Sequence, residues 1–196
     1  VRGCSHPMPN ITGLNNRDRM LTAVKMAGAT EFKSNLSWLT HNTKEPFGLN
    51  KPYCVIIPGS SPKKPSKRWS AEKYAELSDK IYQYGIIPYL VGTKTEISIA
   101  KEICTKSKGA KSIVDSTNLV ELAQIFSDAQ FVVGNDTGPT FIAAIIGVPT
   151  LMLMGADTNP KLSAPMGNAA GHIYKSNIQA IMPEEVIDKM HQLGGL

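Results

Sequence analysis

The stretch FVVGNDTGPTFIAAIIGVPTLMLMG, residues 131–155, decides the fold class that we predict for this chain. It begins with an apolar run, continues through the polar, glycine-rich turn at 134–139, and then has helical character until Gly147 and Pro149 end the helix. A second apolar run follows at 150–154. The order strand, loop, helix, strand is typical of the βαβ unit of a parallel sheet.

The turn at 134–139 has the features of an anion-binding loop. Asp136 or Thr137 can cap the helix, and Pro139 suits its first turn, where a missing N–H costs nothing. The loop therefore leaves backbone N–H groups free at the positive end of a helix, on the carboxyl edge of the sheet. Phosphates bind at this place in open α/β folds. A purely structural turn with a helix cap explains the same residues equally well.

The chain from residue 52 onward alternates between strand-like and helix-like segments. We predict further strands at 53–57, 86–91, 112–114 and 171–174, and helices at 70–84, 95–107, 118–126 and 183–193. This alternation predicts an α/β fold with a doubly wound parallel sheet. Ahead of it we predict a helix at 17–27, a short strand at 32–38 and a linker at 40–51.

The composition is that of a globular protein, with 196 residues, 42% hydrophobic and 19% charged. No apolar run approaches the roughly 20 residues that span a bilayer, and no secretory signal pattern occurs. The three cysteines are widely spaced and form no CxxC motif, so we expect no metal site and a reducing, cytoplasmic setting. The net charge of +5 favours anionic partners but is too scattered to indicate nucleic acid.

A second loop, PGSSPKKPSKRW at 58–69, follows the first buried strand at the same edge of the predicted sheet. It offers the hydroxyls of Ser60 and Ser61, with Lys67 or Arg68 as the counter-charge for a diphosphate. The P-loop pattern GxxxxGK[ST] is absent. A solvated basic loop ahead of a helix is the simpler interpretation of this segment by itself.

Two acidic residues lie beside these loops. Glu96 falls in the first turn of a predicted helix, where a carboxylate can hold ribose hydroxyls or simply compensate the helix dipole. We expect Asp136 to orient its loop or to accept a sugar hydroxyl, because a carboxylate repels phosphate. A further loop, GADTNP at 155–160, is predicted at the same edge. No GxGxxG follows a strand, so we predict no nicotinamide cofactor.

Three segments in this order resemble the C-terminal half of the bacterial heptosyltransferase family, glycosyltransferase family 9: PGSS…KRWSAEKYAELSDKI, LVGTKTEISIAKEI and NLVELAQIFSDAQFVVGNDTGPTFIAAIIGVPTLMLMG. The resemblance covers residues 53–193. It implies the GT-B arrangement of two Rossmann-like domains. Residues 51–196 would then be the nucleotide-sugar-binding domain, and residues 1–50 a remnant of the N-terminal domain with a linker. It also implies transfer of heptose from ADP-heptose to a lipopolysaccharide or lipid A-core acceptor.

The resemblance implies roles for individual residues in donor binding. It matches Ser60 and Ser61 to the hydroxyls of the phosphate loop. Lys67 is similar to the lysine that neutralises the diphosphate or faces the sugar. Glu96 is similar to the acid that holds the ribose.

The resemblance also implies a role for the turn at 136–138. It matches Asp136, Thr137 and Gly138 to the D-[ST]-G motif at the diphosphate and the sugar, so that Lys67 and Asp136 are the catalytic candidates. Phe141 stands where the family has a histidine, and the order Asp-Thr at 157–158 replaces the more usual Thr-Asp. Both departures bear on which donor is used.

The predicted reaction needs a base for the acceptor hydroxyl and a positive site for the leaving diphosphate. The resemblance implies that the base lies in the N-terminal domain, so we expect this chain alone to bind the donor without transferring it. The expected partners are the nucleotide-sugar, the acceptor, the N-terminal domain and a peripheral contact with the inner membrane, but no nucleic acid. No metal or cofactor is expected.

Two other functions remain open at this stage. A non-catalytic nucleotide- or phosphate-binding module would bind ADP without turnover. A UDP-sugar 2-epimerase of the same fold would need carboxylates and a histidine in its cleft, and the sequence shows neither pattern.

Overall fold

The computed structural model describes residues 9–31, 36–40, 48–61 and 64–196. These residues contain a six-stranded sheet in which neighbouring strands all pair in parallel. Its strands are β1 Tyr53–Ile57, β2 Ile87–Leu90, β3 Lys111–Ser112, β4 Val132–Asn135, β5 Thr150–Met154 and β6 Ala170–Tyr174. The order β3-β2-β1-β4-β5-β6 makes the winding reverse between β1 and β4. The predicted α/β, doubly wound parallel sheet is confirmed.

Helices cover both faces of this sheet. They are α1 Asn16–Met26, α2 Ser37–Thr40, α3 Ala71–Gln83, α4 Ile97–Lys106, α5 Leu119–Asp128, α6 Gly138–Ile146, α7 Pro160–Ser163 and α8 Pro183–Gln192. Short 3-10 turns lie at Pro65–Lys67, Lys94–Glu96 and Ile178–Ala180. None of the helices within the described ranges is long and apolar enough to cross a membrane.

The two faces of β1 supply two separate cores, because successive side chains of a strand point to opposite faces. Cys54 and Ile56 belong to a core with α3, α4 and α8, whereas Val55 and Ile57 belong to a core with α5 and α6. All five residues of β1 are buried. The continuous apolar run therefore matches a central strand of a parallel sheet, which is covered on both faces.

Helix ends follow the chemistry of the sequence. Ser70 caps α3 by accepting a hydrogen bond from the amide of Lys73, and Asn118 and Glu121 form a capping box at α5. Gly147 ends α6 at φ +95°, a conformation that favours glycine. These caps set where α3 and α5 begin and where α6 ends.

The first fifty residues differ most from expectation. The strand predicted at 32–38 is wrong where the structure describes it, because Ser37–Thr40 forms the single-turn helix α2, which contacts α5. Residues 32–35, and residues 41–47 of the predicted linker, lie outside the described residues. The predicted first helix is confirmed as α1, although none of its residues is buried.

Candidate functional site

The loops that leave the carboxyl ends of β1, β4 and β5 meet at Asp136. The Lys67 ammonium contacts Asp136 Oδ2, and the two side chains are 14% and 10% exposed. The hydroxyl of Thr158, itself buried, donates to the same oxygen at 2.6 Å. In the free protein these three residues therefore place one positive and one negative charge within hydrogen-bonding distance of each other.

The loop after β5 also supports the loop after β1 directly. Ser66 donates a hydrogen bond from its hydroxyl to Asp157 Oδ2. A Cβ on Gly155 would lie 3.6 Å from the carbonyl oxygen of Ser66, so the two backbones approach closely at this point. Lys67 therefore extends from a segment that rests on the neighbouring loop.

The turn after β4 leaves an open helix N-terminus. Thr137 occupies the N-cap position of α6 in extended conformation and makes no side-chain capping bond. Gly138 is the first helical residue and is exposed, and a Cβ there would meet no atom within 4 Å. Pro139 has no N–H, and the Thr140 N–H donates to Thr137 O at 3.1 Å. Gly138 therefore supplies an N–H that has no acceptor within its own helix and lies at the positive end of the helix dipole. The turn can therefore receive an anion close to Lys67.

Ser60 and Ser61 occupy different surroundings. Ser60 is buried, and its hydroxyl donates to Lys64 O and accepts from Arg68 Nε, both at 3.3 Å. Arg68 Nη2 also donates to Ser60 O at 3.1 Å, so Arg68 braces the loop from within. Ser61 is exposed, and its carbonyl accepts from the amide of Lys64. Binding of phosphate by either hydroxyl stays a prediction.

Glu96 is buried and forms a capping box with Thr93. Its Oε2 accepts from the Thr93 amide at 2.9 Å and from the Thr93 hydroxyl at 2.8 Å, while Oε1 accepts from the Thr95 hydroxyl at 2.7 Å. Glu96 thus has a structural role at the start of its helix. The ribose-binding role stays a prediction.

Burial favours the neutral form of Glu96, but its hydrogen bonds favour the anion more strongly. Burial alone would raise the pKa of this carboxyl, whereas the bonds from Thr95 and Thr93 and the charge of Arg68 bring the pKa below its usual value. A Cβ on Gly59 or Gly92 would come within 2.8 Å of the Glu96 side chain. The carboxylate is therefore packed between the loops that follow β1 and β2.

Sequence reasoning missed Asn135 and Thr158. Asn135 ends β4 with no exposed surface and hydrogen-bonds the backbone at both ends of the loop at 58–69. Its signal in the sequence was a polar side chain that follows an apolar run after a single glycine, Gly134. Thr158 gave no comparable signal, because its partner Asp136 is 22 positions away.

The candidate site thus combines one ammonium group, two carboxylates and an open helix N-terminus. Lys67, Asp136, Thr137 and Gly138 lie in the loops at the carboxyl ends of β1 and β4, where the winding of the sheet reverses. Glu96 lies one strand further, at the end of β2. Within the described part of the chain, no group of three His, Cys, Asp or Glu side chains is placed to hold a metal ion.

Residues 21–192 match the family model of glycosyltransferase family 9, the heptosyltransferases. The chain belongs to this family, which confirms the resemblance given above.

Individual relatives agree with this assignment. The chain is 24% identical over 168 residues to lipooligosaccharide heptosyltransferase 2 of Haemophilus ducreyi, an alignment that covers 74% of this chain and 48% of that protein. It therefore spans about half the length of this curated relative.

Solved structures share the fold. A family 9 glycosyltransferase from Veillonella parvula superposes with a TM-score of 0.79 at 19% identity, over 96% of this chain and 62% of that one. The E. coli heptosyltransferase WaaC with ADP-2-deoxy-2-fluoro heptose gives a TM-score of 0.70 at 20% identity, over 95% of this chain and 58% of that one. The matched structures have the GT-B fold of heptosyltransferases, and this chain covers somewhat more than half of each of them.

Proposed function

We propose that this chain is the donor-binding half of a family 9 sugar transferase that takes heptose from ADP-heptose and passes it to a lipopolysaccharide core acceptor. The contact between Lys67 and Asp136 carries the proposal. It lies at the carboxyl ends of β1 and β4, and open α/β sheets bind ligands where the strand order reverses. Membership of the family then favours a nucleotide-sugar as the ligand.

Lys67 can bind the diphosphate while it keeps its contact with Asp136. An ammonium group has three N–H donors, and the contact with Asp136 uses one of them. The remaining donors, together with the Gly138 amide at the start of α6, can neutralise charge on the diphosphate. This charge grows as the bond between the anomeric carbon and the phosphate oxygen breaks, so its neutralisation favours the transition state.

Asp136 can accept a hydrogen bond from the sugar. Among the described residues, both hydrogen bonds to its carboxylate go to Oδ2, from Lys67 and Thr158. Oδ1 is then the oxygen that would accept a bond from a sugar hydroxyl. In the complete reaction, the acceptor hydroxyl attacks the anomeric carbon, ADP leaves, and the proton passes to a base that we place in the N-terminal domain.

The names of the relatives support the finer parts of this proposal. WaaC was solved with an ADP-heptose analogue, which favours ADP-heptose as the donor here. The relative from Haemophilus ducreyi acts on lipooligosaccharide, which favours a core acceptor. We propose that the whole protein is cytoplasmic and makes peripheral contact with the inner membrane.

The proposal is tested by calorimetric titration of the chain with ADP. Lys67→Ala should weaken binding about 30-fold, since hydrogen bonds to charged groups contribute ~2 kcal/mol. Lys101→Ala is the matched control, because it removes the same charge from an exposed position on α4. Equal dissociation constants for the two variants, or no ADP binding by the wild type, would refute the proposed function.

A second measurement addresses the sugar and the transfer step. ADP-heptose should bind more tightly than ADP, and UDP-glucose should compete with neither. With a core acceptor added, we expect the isolated chain to release no ADP, because the base is not expected within it. Release of ADP would show that these residues contain a complete active site.

A further inference from the structure

Asn135 is a fully buried polar side chain at the base of the proposed site. Its Nδ2 donates to Pro58 O at 2.8 Å and to Gly59 O at 3.4 Å. Its Oδ1 accepts from the Trp69 amide at 3.2 Å and from the Tyr74 hydroxyl at 3.0 Å. The side-chain amide is therefore used on both its donor and its acceptor side.

These bonds fasten both ends of one loop. Pro58 and Gly59 begin the loop at 58–69 and Trp69 ends it, so Asn135 fixes where the chain leaves β1 and where it approaches α3. The backbone of Asn135 continues directly into Asp136, and its carbonyl accepts from the Thr140 hydroxyl at 2.8 Å. The same residue thus also sets the position of the turn at 136–138.

The structure assigns to Asn135 the role of a positioning residue for nucleotide binding. Its buried amide holds both ends of the loop at 58–69 against the turn at 136–138, so that Lys67 and the Gly138 amide face the same diphosphate. This inference rests on the proposed function. Asn135 acts here through its neighbours and needs no contact with the nucleotide.

An amide suits this position because it donates and accepts from one planar group. Aspartate has nearly the same shape, but when ionised it offers only acceptors to the carbonyl oxygens of Pro58 and Gly59. Asn135→Asp therefore removes the attachment of the start of the loop and keeps the volume of the side chain. It also places a charge in a buried position.

The test is the affinity for ADP of Asn135→Asp as a function of pH. At about pH 7.5 we expect its dissociation constant to exceed that of the wild type by at least about tenfold. Burial and the adjacent Asp136 raise the pKa of the new carboxyl, and in its protonated form this group donates again. The ratio of the two constants should therefore fall to about threefold near pH 5.5.

Two matched measurements separate positioning from lost stability. The wild type, titrated at each pH, corrects for protonation of ADP and of the protein itself. Burial raises the pKa of Tyr74, so its hydroxyl keeps its proton throughout, and Asp136 and Lys67 are the charged groups beside the loop. Ser78→Ala removes a buried hydroxyl that donates to Tyr74 O at 2.7 Å on α3, away from the loop. Its affinity for ADP should equal that of the wild type. A ratio for Asn135→Asp that stays constant with pH, or affinity equal to that of Ser78→Ala, would overturn the role.

Tyr74→Phe serves if Asn135→Asp does not fold, because it removes one of the two bonds to Asn135 Oδ1. We expect about threefold weaker ADP binding than for Ser78→Ala, and equal binding would overturn the inference.

Hydrogen exchange without nucleotide is the independent check. The amides of Lys64, Lys67 and Trp69 should exchange faster in the Asn135 or Tyr74 variant than in Ser78→Ala, and equal rates would refute positioning. A wild type that binds no ADP would refute the proposed function and, with it, the role in nucleotide binding, whereas equal exchange rates with normal ADP binding by the wild type would refute the positioning role alone.

Discussion

Lys67 and Asp136 are 69 positions apart in the sequence, yet the ammonium of one contacts the carboxylate of the other. With side chains only 14% and 10% exposed, the pair is screened by solvent less than a surface ion pair. Asp136 thus neutralises part of the charge that a diphosphate would use. The two residues should therefore affect anion binding in opposite directions, although they belong to one site.

Asp136→Asn should tighten the binding of ADP roughly fivefold, because removal of one negative charge near the diphosphate contributes ~1 kcal/mol. The Lys67→Ala, Asp136→Asn double variant should bind more weakly than the wild type, since the ammonium is then lost as well. Calorimetry at low and high salt checks both results, and the gain from Asp136→Asn should shrink as salt rises. Weaker binding by Asp136→Asn alone would show that Asp136 is needed chiefly to hold Lys67.

The sequence predicted the sheet well because its strong signals are local. The apolar runs at 53–57 and 150–154, bounded by turn residues, coincide with β1 and β5. The carboxyl ends of parallel strands lie at one edge of the sheet. The predicted topology therefore also indicated that the loops after these strands would meet at that edge. Short apolar runs are less informative, and the segment around Trp38 is helical where a strand was expected.

The contacts of the site were harder to predict because they join distant positions. Spacing gives no indication that Thr158 donates to Asp136, or that Asn135 reaches Pro58 and Trp69. These pairings depend on which strands are neighbours and on the path of each loop, which only the folded chain defines. The two residues that the sequence missed are for this reason both buried polar groups with remote partners.

Gly134 and Gly138 should respond differently to alanine. A Cβ on Gly134 would lie 2.6 Å from Thr140 Oγ1 and 2.8 Å from Ile57 Cβ, so Gly134→Ala should destabilise the fold by about 2 kcal/mol. Gly138→Ala meets nothing in the protein and should leave stability within ~0.5 kcal/mol. Its methyl group would, however, occupy the approach to the Gly138 amide at the start of α6 and weaken ADP binding about tenfold. Urea unfolding and calorimetry measure the two effects, and unchanged affinity in Gly138→Ala would place the ligand elsewhere.

Thr158→Val should weaken ADP binding about threefold and destabilise the fold by ~2 kcal/mol. Without the Thr158 hydroxyl, Asp136 Oδ2 loses one hydrogen-bond donor. The carboxylate then competes more strongly with the diphosphate for the Lys67 ammonium. Thr150→Val is the matched control, since Thr150 is buried at the opposite end of β5 and donates to Val148 O at 2.7 Å. The control should lose about 1 kcal/mol and keep its affinity. Equal affinities in both variants would exclude Thr158 from the site.

Glu96→Gln should reduce the dependence of stability on pH. The pKa of Glu96 is lower in the folded protein than its usual value of about 4.3, so its charged form stabilises the fold. This contribution is fully present above the unfolded pKa and is lost as the pH falls through the folded one. The free energies of unfolding of the two proteins, from urea titrations at several pH values, should therefore differ most above the usual carboxyl pKa and converge as the pH falls through the lowered pKa of Glu96. A difference that stays constant over this range would mean that the charge of Glu96 contributes nothing to holding the loops after β1 and β2 together.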